Sequence, residues 1–194
     1  MNASTPTFDL ATLSFAPNAQ KVMDFWMAAG PEQWFRKDDV FDARFRVQFF
    51  EAHLAAARQE YGHWLEQPLS ALALLILLDQ YPRNSFRGTA HMFATDALAR
   101  QYAAQAISVG LDRLVPDVLR PFFYLPLMHS EDLADQERCV VLCQGLAAGN
   151  TLAFAIEHRD IIARFGRFPH RNTQLLRETT AQERAFLDAG GFAG

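Results

Sequence analysis

Residues 68–80, PLSALALLILLDQ, are apolar around nearly the whole circumference of any helix that they form. Pro68 suits the first turn of a helix, and Pro82 predicts that the helix ends ahead of it, because proline disfavours the α conformation at the preceding residue. A helix that is apolar on all sides must be covered by other elements on all sides. The stretch therefore predicts a central buried helix.

The flanking sequence supplies partners for this helix. One stripe at helical spacing predicts a helix from Pro17 to Gly30, and a second predicts a long helix from Asp38 or Asp39 to Gly62. The stripes consist of Val22, Phe25, Trp26 and Ala29, and of Phe41, Phe45, Phe49, Ala52 and Ala56.

Further helices are predicted from Thr89 to Gly110, from Ser130 or Asp132 to about Ala148, and from Asn150 or Thr151 to Phe165, with a capping box at Thr180 and Glu183 before the last. Pro116, Pro121 and Pro126 predict a short helix with an extended connection between residues 114 and 129. No strand pattern stands out. The fold class is therefore all-α, with seven to eight antiparallel helices in a single domain over residues 17–194, preceded by an N-terminal arm over residues 1–16.

Charge and composition exclude several classes of partner. A formal net charge of -4 and a pI of about 5.8 argue against nucleic acid. The longest apolar run, residues 71–78, is too short to cross a bilayer, and the N-terminal residues do not resemble a secretory signal. Cys139 and Cys143 fit buried small hydrophobes in a reducing compartment, with a redox pair as the weaker alternative. We expect a cytoplasmic protein without a membrane partner, and the sequence assigns no oligomeric state.

Three polar clusters, which we call corners, interrupt the apolar scaffold. The first corner, residues 79–87, contains Asp79, Arg83, Asn84 and Arg87. One interpretation is local turn chemistry with Asp79 paired to an arginine. The other is that Arg83 and Arg87 direct guanidinium donors at a carboxylate or phosphate.

The second corner, residues 129–136, contains His129, Glu131 and Asp132. Acidic residues in a first helical turn are favoured by the helix dipole alone. A histidine beside carboxylates also suits general acid/base catalysis or half of a metal site. Because no recognised metal-ligand spacing is present, we predict no metal and no cofactor.

The third corner, residues 158–172, begins with His158 on the apolar face of a helix, where it is either a hydrogen-bonded core residue or a proton-transfer group. Four further polar residues lie beyond the stop at Gly166 and are not explained as helix surface: Arg167, His170, Arg171 and Asn172. They are the strongest site candidates in the sequence, and Arg171→Ala is expected to leave the fold intact and weaken ligand binding.

Taken together, the motifs DFW, WF, LLDQYPRNSFRG, LPLMHSEDLADQ and RFGRFPHRN resemble those of the bacterial family known as domain of unknown function 924. The resemblance runs from about Val22 to Arg177. It implies an all-helical fold similar to tetratricopeptide-repeat arrays and no established activity. This chain reads Leu175, Leu176, Arg177 where the family usually reads Leu-Gly-Arg, so a tight turn at the glycine position is in question.

We expect the three corners to converge so that unpaired guanidinium groups line a shared pocket for a small anionic metabolite. His129, Glu131 or His158 would supply proton transfer if the ligand is also transformed. The alternative is a non-enzymatic helical module that binds an acidic peptide or protein. A third interpretation is that the arginines have a structural role, each being already paired with an internal carboxylate.

Overall fold

The computed structural model describes residues 15–146 and 149–193. Within these ranges the chain forms helices and turns and no strand, which confirms the all-α prediction. The predicted arm falls mostly outside the described residues, so its separation from a domain stays a prediction. No helix in the described ranges is long and apolar enough to cross a membrane.

The α-helices follow one another along the chain. They are α1 Ala19–Ala29, α2 Pro31–Trp34, α3 Asp39–Ala57, α4 Pro68–Leu75, α5 Tyr81–Ser85, α6 Asp96–Ser108, α7 Pro121–Met128, α8 Leu133–Gln144, α9 Thr151–Phe165 and α10 Ala181–Asp188. A π-helical turn, Ile76–Gln80, joins α4 to α5. The 3₁₀ turns are Gly62–Glu66, Ala90–Phe93, Leu111–Leu114 and Pro169–Arg171.

The central position predicted for residues 68–80 is confirmed. Every residue from Leu69 to Leu78 is exposed by 1% or less. Helix α4 packs against α1, α6 and α7, while α8 packs against both α7 and α9. One large apolar core therefore extends from α1 to α9, and a smaller one forms around Ile161, Ile162 and Phe168.

The prediction that this helix ends before Pro82 is wrong. Tyr81 keeps helical angles, and the chain continues through Pro82 into α5. Proline cannot donate to the carbonyl groups behind it, but both of the affected carbonyls have other donors: His53 Nδ1 lies 2.9 Å from Leu77 O, and Thr95 Oγ1 donates to Leu78 O at 2.5 Å. The π-helical turn and these two side chains together allow the helix to pass the proline.

Other helix boundaries in the structure also differ from the predicted ones. Helix α3 ends at Ala57 instead of Gly62, and α6 begins at Asp96 because residues 90–93 form a 3₁₀ turn. The short helix predicted between residues 114 and 129 is α7, which includes Pro126, and the chain before it, from Val115 to Arg120, is not helical. Helix α8 begins after the Asp132 cap and ends at Gln144. The capping box of Thr180 and Glu183 is confirmed.

Leu176 occupies the position where the resembled family has glycine. Its φ is 53°, in the left-handed region, and its side chain is 94% exposed. The backbone therefore makes the turn expected of glycine, although a residue with a Cβ pays a steric cost there.

We expect Leu176→Gly to raise the free energy of unfolding by about 1 kcal/mol, because it relieves this cost without removing a buried contact. Leu114 is a matched control, since it is exposed but lies in the helical backbone of residues 111–114. Leu114→Gly should lower the same free energy by about 0.5–1 kcal/mol. Urea denaturation of both variants measures the two signs, and equal losses would contradict the strain at Leu176.

Candidate functional site

The three corners meet at His129. Its Nδ1 lies 2.7 Å from Asp79 Oδ1, which joins the second corner to the first. Its carbonyl oxygen accepts a hydrogen bond of 3.0 Å from Arg171 Nη2, which joins the third corner to the second. Residues about 90 positions apart are therefore neighbours, as the sequence analysis expected.

The guanidinium groups at this junction are paired, so the expectation of unpaired arginines is wrong. Arg83 binds both oxygens of Asp96, at 2.8 and 3.0 Å, and its Nη1 lies 3.1 Å from Asp79 Oδ1. Arg171 Nη1 lies 3.3 Å from Asp96 Oδ2. Burial requires such pairing, because an isolated ion away from water is costly.

Arg87 is paired at a different helix. Its Nε donates to Asp42 Oδ2 on α3 at 2.6 Å, and its Nη2 lies 3.5 Å from the other oxygen. The Arg87 side chain is 36% exposed, and its Nη1 makes no hydrogen bond within the described residues. It therefore keeps donor capacity toward solvent or a ligand.

A cavity of about 660 Å³ opens beside the junction; we call it the corner cavity. Gln80, Arg83 and Asn84 line it at i, i+3 and i+4 along the π-helical turn and α5, and Arg87 lines it from the turn after α5. His129 and His158 line it from the second and third corners. Five predicted site residues thus face one hollow.

The remaining wall is largely apolar. Phe35 stacks on Phe122 with ring centroids 5.7 Å apart, and Trp34 meets the same ring edge-on at 5.1 Å. Phe35 and Phe154 are 67% and 50% exposed, so apolar surface reaches the mouth of the cavity. Other apolar lining residues are Pro31, Val118, Pro121, Leu125, Met128 and Phe192.

Asn84 is a polar lining residue whose side-chain amide lacks a hydrogen-bond acceptor in the part of the chain that the structure describes. The residue is only 7% exposed, and its Nδ2 has no hydrogen-bond partner among the described residues. A buried donor without an acceptor costs about 1–3 kcal/mol. Such a group in a cavity wall is a candidate for contact with a ligand.

The histidines of the junction favour their neutral forms. Burial, reinforced by Arg83, lowers the pKa of His129. Burial also lowers the pKa of His158 to about 4, with His129 adding to the effect. His158 Nδ1 lies 2.8 Å from Phe154 O, which agrees with the predicted hydrogen-bonded core residue. Both side chains are therefore neutral near pH 7.

The Asp79 carboxyl is ionised. Although burial opposes ionisation, Arg83 and His129 hold the pKa of Asp79 well below its usual range. Gln80 Nε2 donates to its other oxygen at 2.6 Å. An ionised carboxylate only accepts hydrogen bonds, so Nδ1 of His129 carries the proton and Nε2 has the lone pair.

Glu131 and Asp132 are not among the residues that line the corner cavity. Glu131 binds Arg177 through both oxygens, at 2.7 and 3.0 Å, and accepts from Phe168 N at 2.8 Å. Although burial opposes it, these donors lower the pKa of Glu131. Asp132 caps α8 by accepting from Ala134 N at 2.9 Å. Glu131 thus connects the start of α8 to the third corner, whereas Asp132 acts locally as a helix cap.

Most of the third corner also lies behind the cavity. Arg167 binds Glu183 at 2.6 and 2.9 Å, and Asn172, which is fully buried, lies 3.3 Å from the same carboxylate. His170 packs against Phe168 and Phe192, and burial together with Arg171 lowers its pKa to about 3. These residues attach α10 to the rest of the chain.

Arg171 lies inside the protein, so we now expect its loss to destabilise the fold, contrary to the expectation from the sequence. It is 6% exposed, and its guanidinium lies 4.6 Å from the Phe93 ring centroid and 4.5 Å from that of Phe168. Together with its bonds to Asp96 and His129, these contacts place it inside the protein and not in the cavity wall.

Asp42 and Asp96, the carboxylates that pair the arginines, were not predicted as site residues from the sequence. Asp96 starts α6, where an acid needs no special explanation, and nothing in its spacing pointed to Arg83. The aromatic wall was also missed, although Trp34 and Phe35 stood in the quoted WF motif. Within residues 15–146 and 149–193, no cluster of three or more His, Cys, Asp or Glu side chains is arranged to hold a metal ion.

Comparison with known proteins gives a family and a structural relative. A family model described as a bacterial protein of unknown function, DUF924, matches residues 22–191, which include all three corners. The solved structure of ATU0120 from Agrobacterium tumefaciens, also titled a protein of unknown function, is 57% identical with a TM-score of 0.86. The match covers 89% of this chain and 97% of that chain. No curated protein matches the chain.

Proposed function

The chain belongs to the DUF924 family of bacterial proteins, and we propose that its corner cavity binds a small organic molecule with an apolar body and a singly charged anionic head. The observation that carries the proposal is Asn84, a buried residue of the cavity lining whose Nδ2 has no hydrogen-bond partner among the described residues. An acceptor-rich head such as a carboxylate satisfies this donor.

The apolar wall supports an apolar body. Phe35, Phe122 and Phe154 line the cavity, and two of them are half or more exposed. Covering such surface contributes about 25 cal/mol per Å² of apolar area. A wall of this kind with a few converging polar groups is typical of small-molecule sites.

The charge balance disfavours a ligand with more than one negative charge. Three guanidinium groups, on Arg83, Arg87 and Arg171, are matched by the carboxylates of Asp42, Asp79 and Asp96. A dianionic phosphate or an acidic peptide would bring further negative charge against these carboxylates without a surplus of cations. A carboxylate held by Asn84 and the remaining donor of Arg87 fits the balance better than the acidic-peptide alternative.

We also infer the cellular compartment in which the protein functions. Cys139 and Cys143 are buried and unbridged, which supports a reducing compartment such as the cytoplasm. The likeness to tetratricopeptide arrays stays a proposal from the family resemblance.

Asn84 and Asn172 offer a matched test of the binding proposal. Asn84→Ala removes an unpaired donor, so the free energy of unfolding should stay within about 1 kcal/mol of the wild type or rise, while ligand affinity falls about tenfold. Asn172, which is also buried, lies 3.3 Å from Glu183 and outside the cavity lining. Asn172→Ala should lower stability by about 1–3 kcal/mol and leave affinity unchanged.

The measurement is a thermal-shift screen of aromatic and branched aliphatic carboxylic acids, with inorganic phosphate and an acidic peptide for comparison. An acid at 100 times its dissociation constant should stabilise the protein by about 2.7 kcal/mol. Stabilisation by the peptide alone would favour the alternative module. If the Asn84→Ala variant binds the acid as tightly as the wild type does, the anionic head of the ligand does not lie at Asn84.

A further inference from the structure

The pairing of His129 with Asp79 has the geometry of a general-base dyad. The bond is 2.7 Å long, and the proton lies on Nδ1 because the carboxylate only accepts. Nε2 therefore has its lone pair available, and it makes no hydrogen bond within the described residues. A carboxylate that fixes the tautomer of a histidine is the arrangement found in hydrolytic triads.

The dyad is held in place from several sides. Gln80 Nε2 donates to Asp79 at 2.6 Å, Arg83 Nη1 lies 3.1 Å from it, and Arg171 holds the backbone carbonyl of His129 at 3.0 Å. The Asp79 side chain is 2% exposed, whereas that of His129 is 15% exposed and lines the corner cavity. The Asp79 carboxylate is thus buried behind His129, and the His129 side chain reaches the cavity.

No protein nucleophile is paired with His129 within the described residues. Thr151 supplies a hydroxyl to the lining, but it forms no hydrogen bond with His129. Water is therefore the nucleophile that the lone pair of Nε2 can activate. In the same wall, the unpartnered Asn84 Nδ2 is a donor for oxygen charge that develops on a bound carbonyl.

Building on the proposed function, we propose that the corner cavity hydrolyses an ester of an apolar carboxylic acid, with His129 as general base and Asp79 as its positioning residue. The anionic ligand proposed above is then the product of the reaction. The carbonyl carbon of the ester occupies the place of the carboxylate head, and the acyl group lies against Phe35, Phe122 and Phe154.

The step balances without a further reactant. Nε2 of His129 takes a proton from water while the water oxygen bonds to the carbonyl carbon, and the negative charge moves to the carbonyl oxygen near Asn84 Nδ2. The C–O bond to the alcohol then breaks, and the leaving oxygen takes the proton from Nε2. The acid and the alcohol are released, and His129 returns to its neutral form.

The test is hydrolysis of 4-nitrophenyl esters of acetic, hexanoic and benzoic acids. We expect hexanoate or benzoate to be cleaved faster than acetate, and His129→Gln to lower kcat/KM by about 10²- to 10⁴-fold. His63→Gln changes an exposed histidine outside the cavity lining and is expected to leave the rate unchanged. The log of kcat/KM should rise with pH to a plateau, with an inflection below 6.5, since burial and Arg83 together outweigh Asp79 and Asp96 and lower the pKa of His129.

Asp79→Asn tests the positioning role separately. The variant should lose most of the hydrolytic rate and the wild-type pH profile while it still binds the product acid in a thermal-shift assay. If this variant fails to fold, the His129→Gln comparison decides the proposal. Product binding with no ester cleavage above the His129→Gln background would overturn the hydrolytic inference and leave the binding proposal standing. A failure of both binding and cleavage would overturn both.

Discussion

Arg171→Ala is expected to lower the free energy of unfolding by about 3–5 kcal/mol, which is a large part of the stability of an ordinary domain. The substitution leaves Asp96 with one cation fewer, removes the donor to the His129 carbonyl at 3.0 Å, and opens a void between Phe93 and Phe168. Urea denaturation followed by circular dichroism measures the loss.

Arg159→Ala is the matched control, because Arg159 also pairs with an aspartate, Asp160 at 2.7 Å, but on the surface. Its loss should be less than about 1 kcal/mol. If Arg171→Ala proved as stable as Arg159→Ala and lost ligand binding instead, the original sequence-based expectation would be right and the structural role of Arg171 wrong.

The second large effect is acid sensitivity between pH 6.5 and pH 4. Burial lowers the pKa of His158 to about 4 and that of His170 to about 3, so the unfolded chain binds these protons at a higher pH than the folded one. Stability is therefore fully present above pH 6.5 and falls as the pH drops toward the folded values. In this window each histidine lowers the free energy of unfolding by at most about 1.4 kcal/mol for each unit that the pH falls.

His170→Leu separates this contribution from general acid effects. Nδ1 of His170 is buried without a partner among the described residues, so an apolar side chain should cost little at pH 7.5. Urea denaturation at pH 7.5, 6, 5 and 4 should give a shallower decline for His170→Leu than for the wild type. His63→Gln, an exposed histidine, should keep the wild-type decline. Parallel declines in all three proteins would show that His170 is not the linked group.

Much of the fold was predictable because its signals are local. The apolar stretch 68–80, the stripe of Phe41, Phe45 and Phe49, and the capping box at Thr180 each depend on spacing within a few turns of helix. The errors arose where distant residues compensate for a local penalty. Thr95 and His53 supply donors that allow the helix to continue through Pro82, and neither can be identified from the sequence around the proline.

The site was predictable only in outline. The three corners stood out because polar residues interrupted apolar patterns. Their convergence was expected only because the three corners contain similar polar residues. The pairing of Arg83 with Asp96 and of Arg87 with Asp42 depends on tertiary contacts that leave no spacing signal. The sequence therefore indicated which residues matter and misjudged which of them are available to a ligand.

The π-helical turn of Ile76–Gln80 has a consequence for comparing relatives. Such a turn is equivalent to one residue inserted into an α-helix, and each residue of an α-helix advances the chain by about 100°. A homologue that lacks one residue in this stretch would form a regular α-helix there, with the change confined to the turn and the later residues left in the same orientation. An alignment gap at residues 76–80 therefore indicates loss of the π-helical turn and a changed backbone around Asp79 and Gln80.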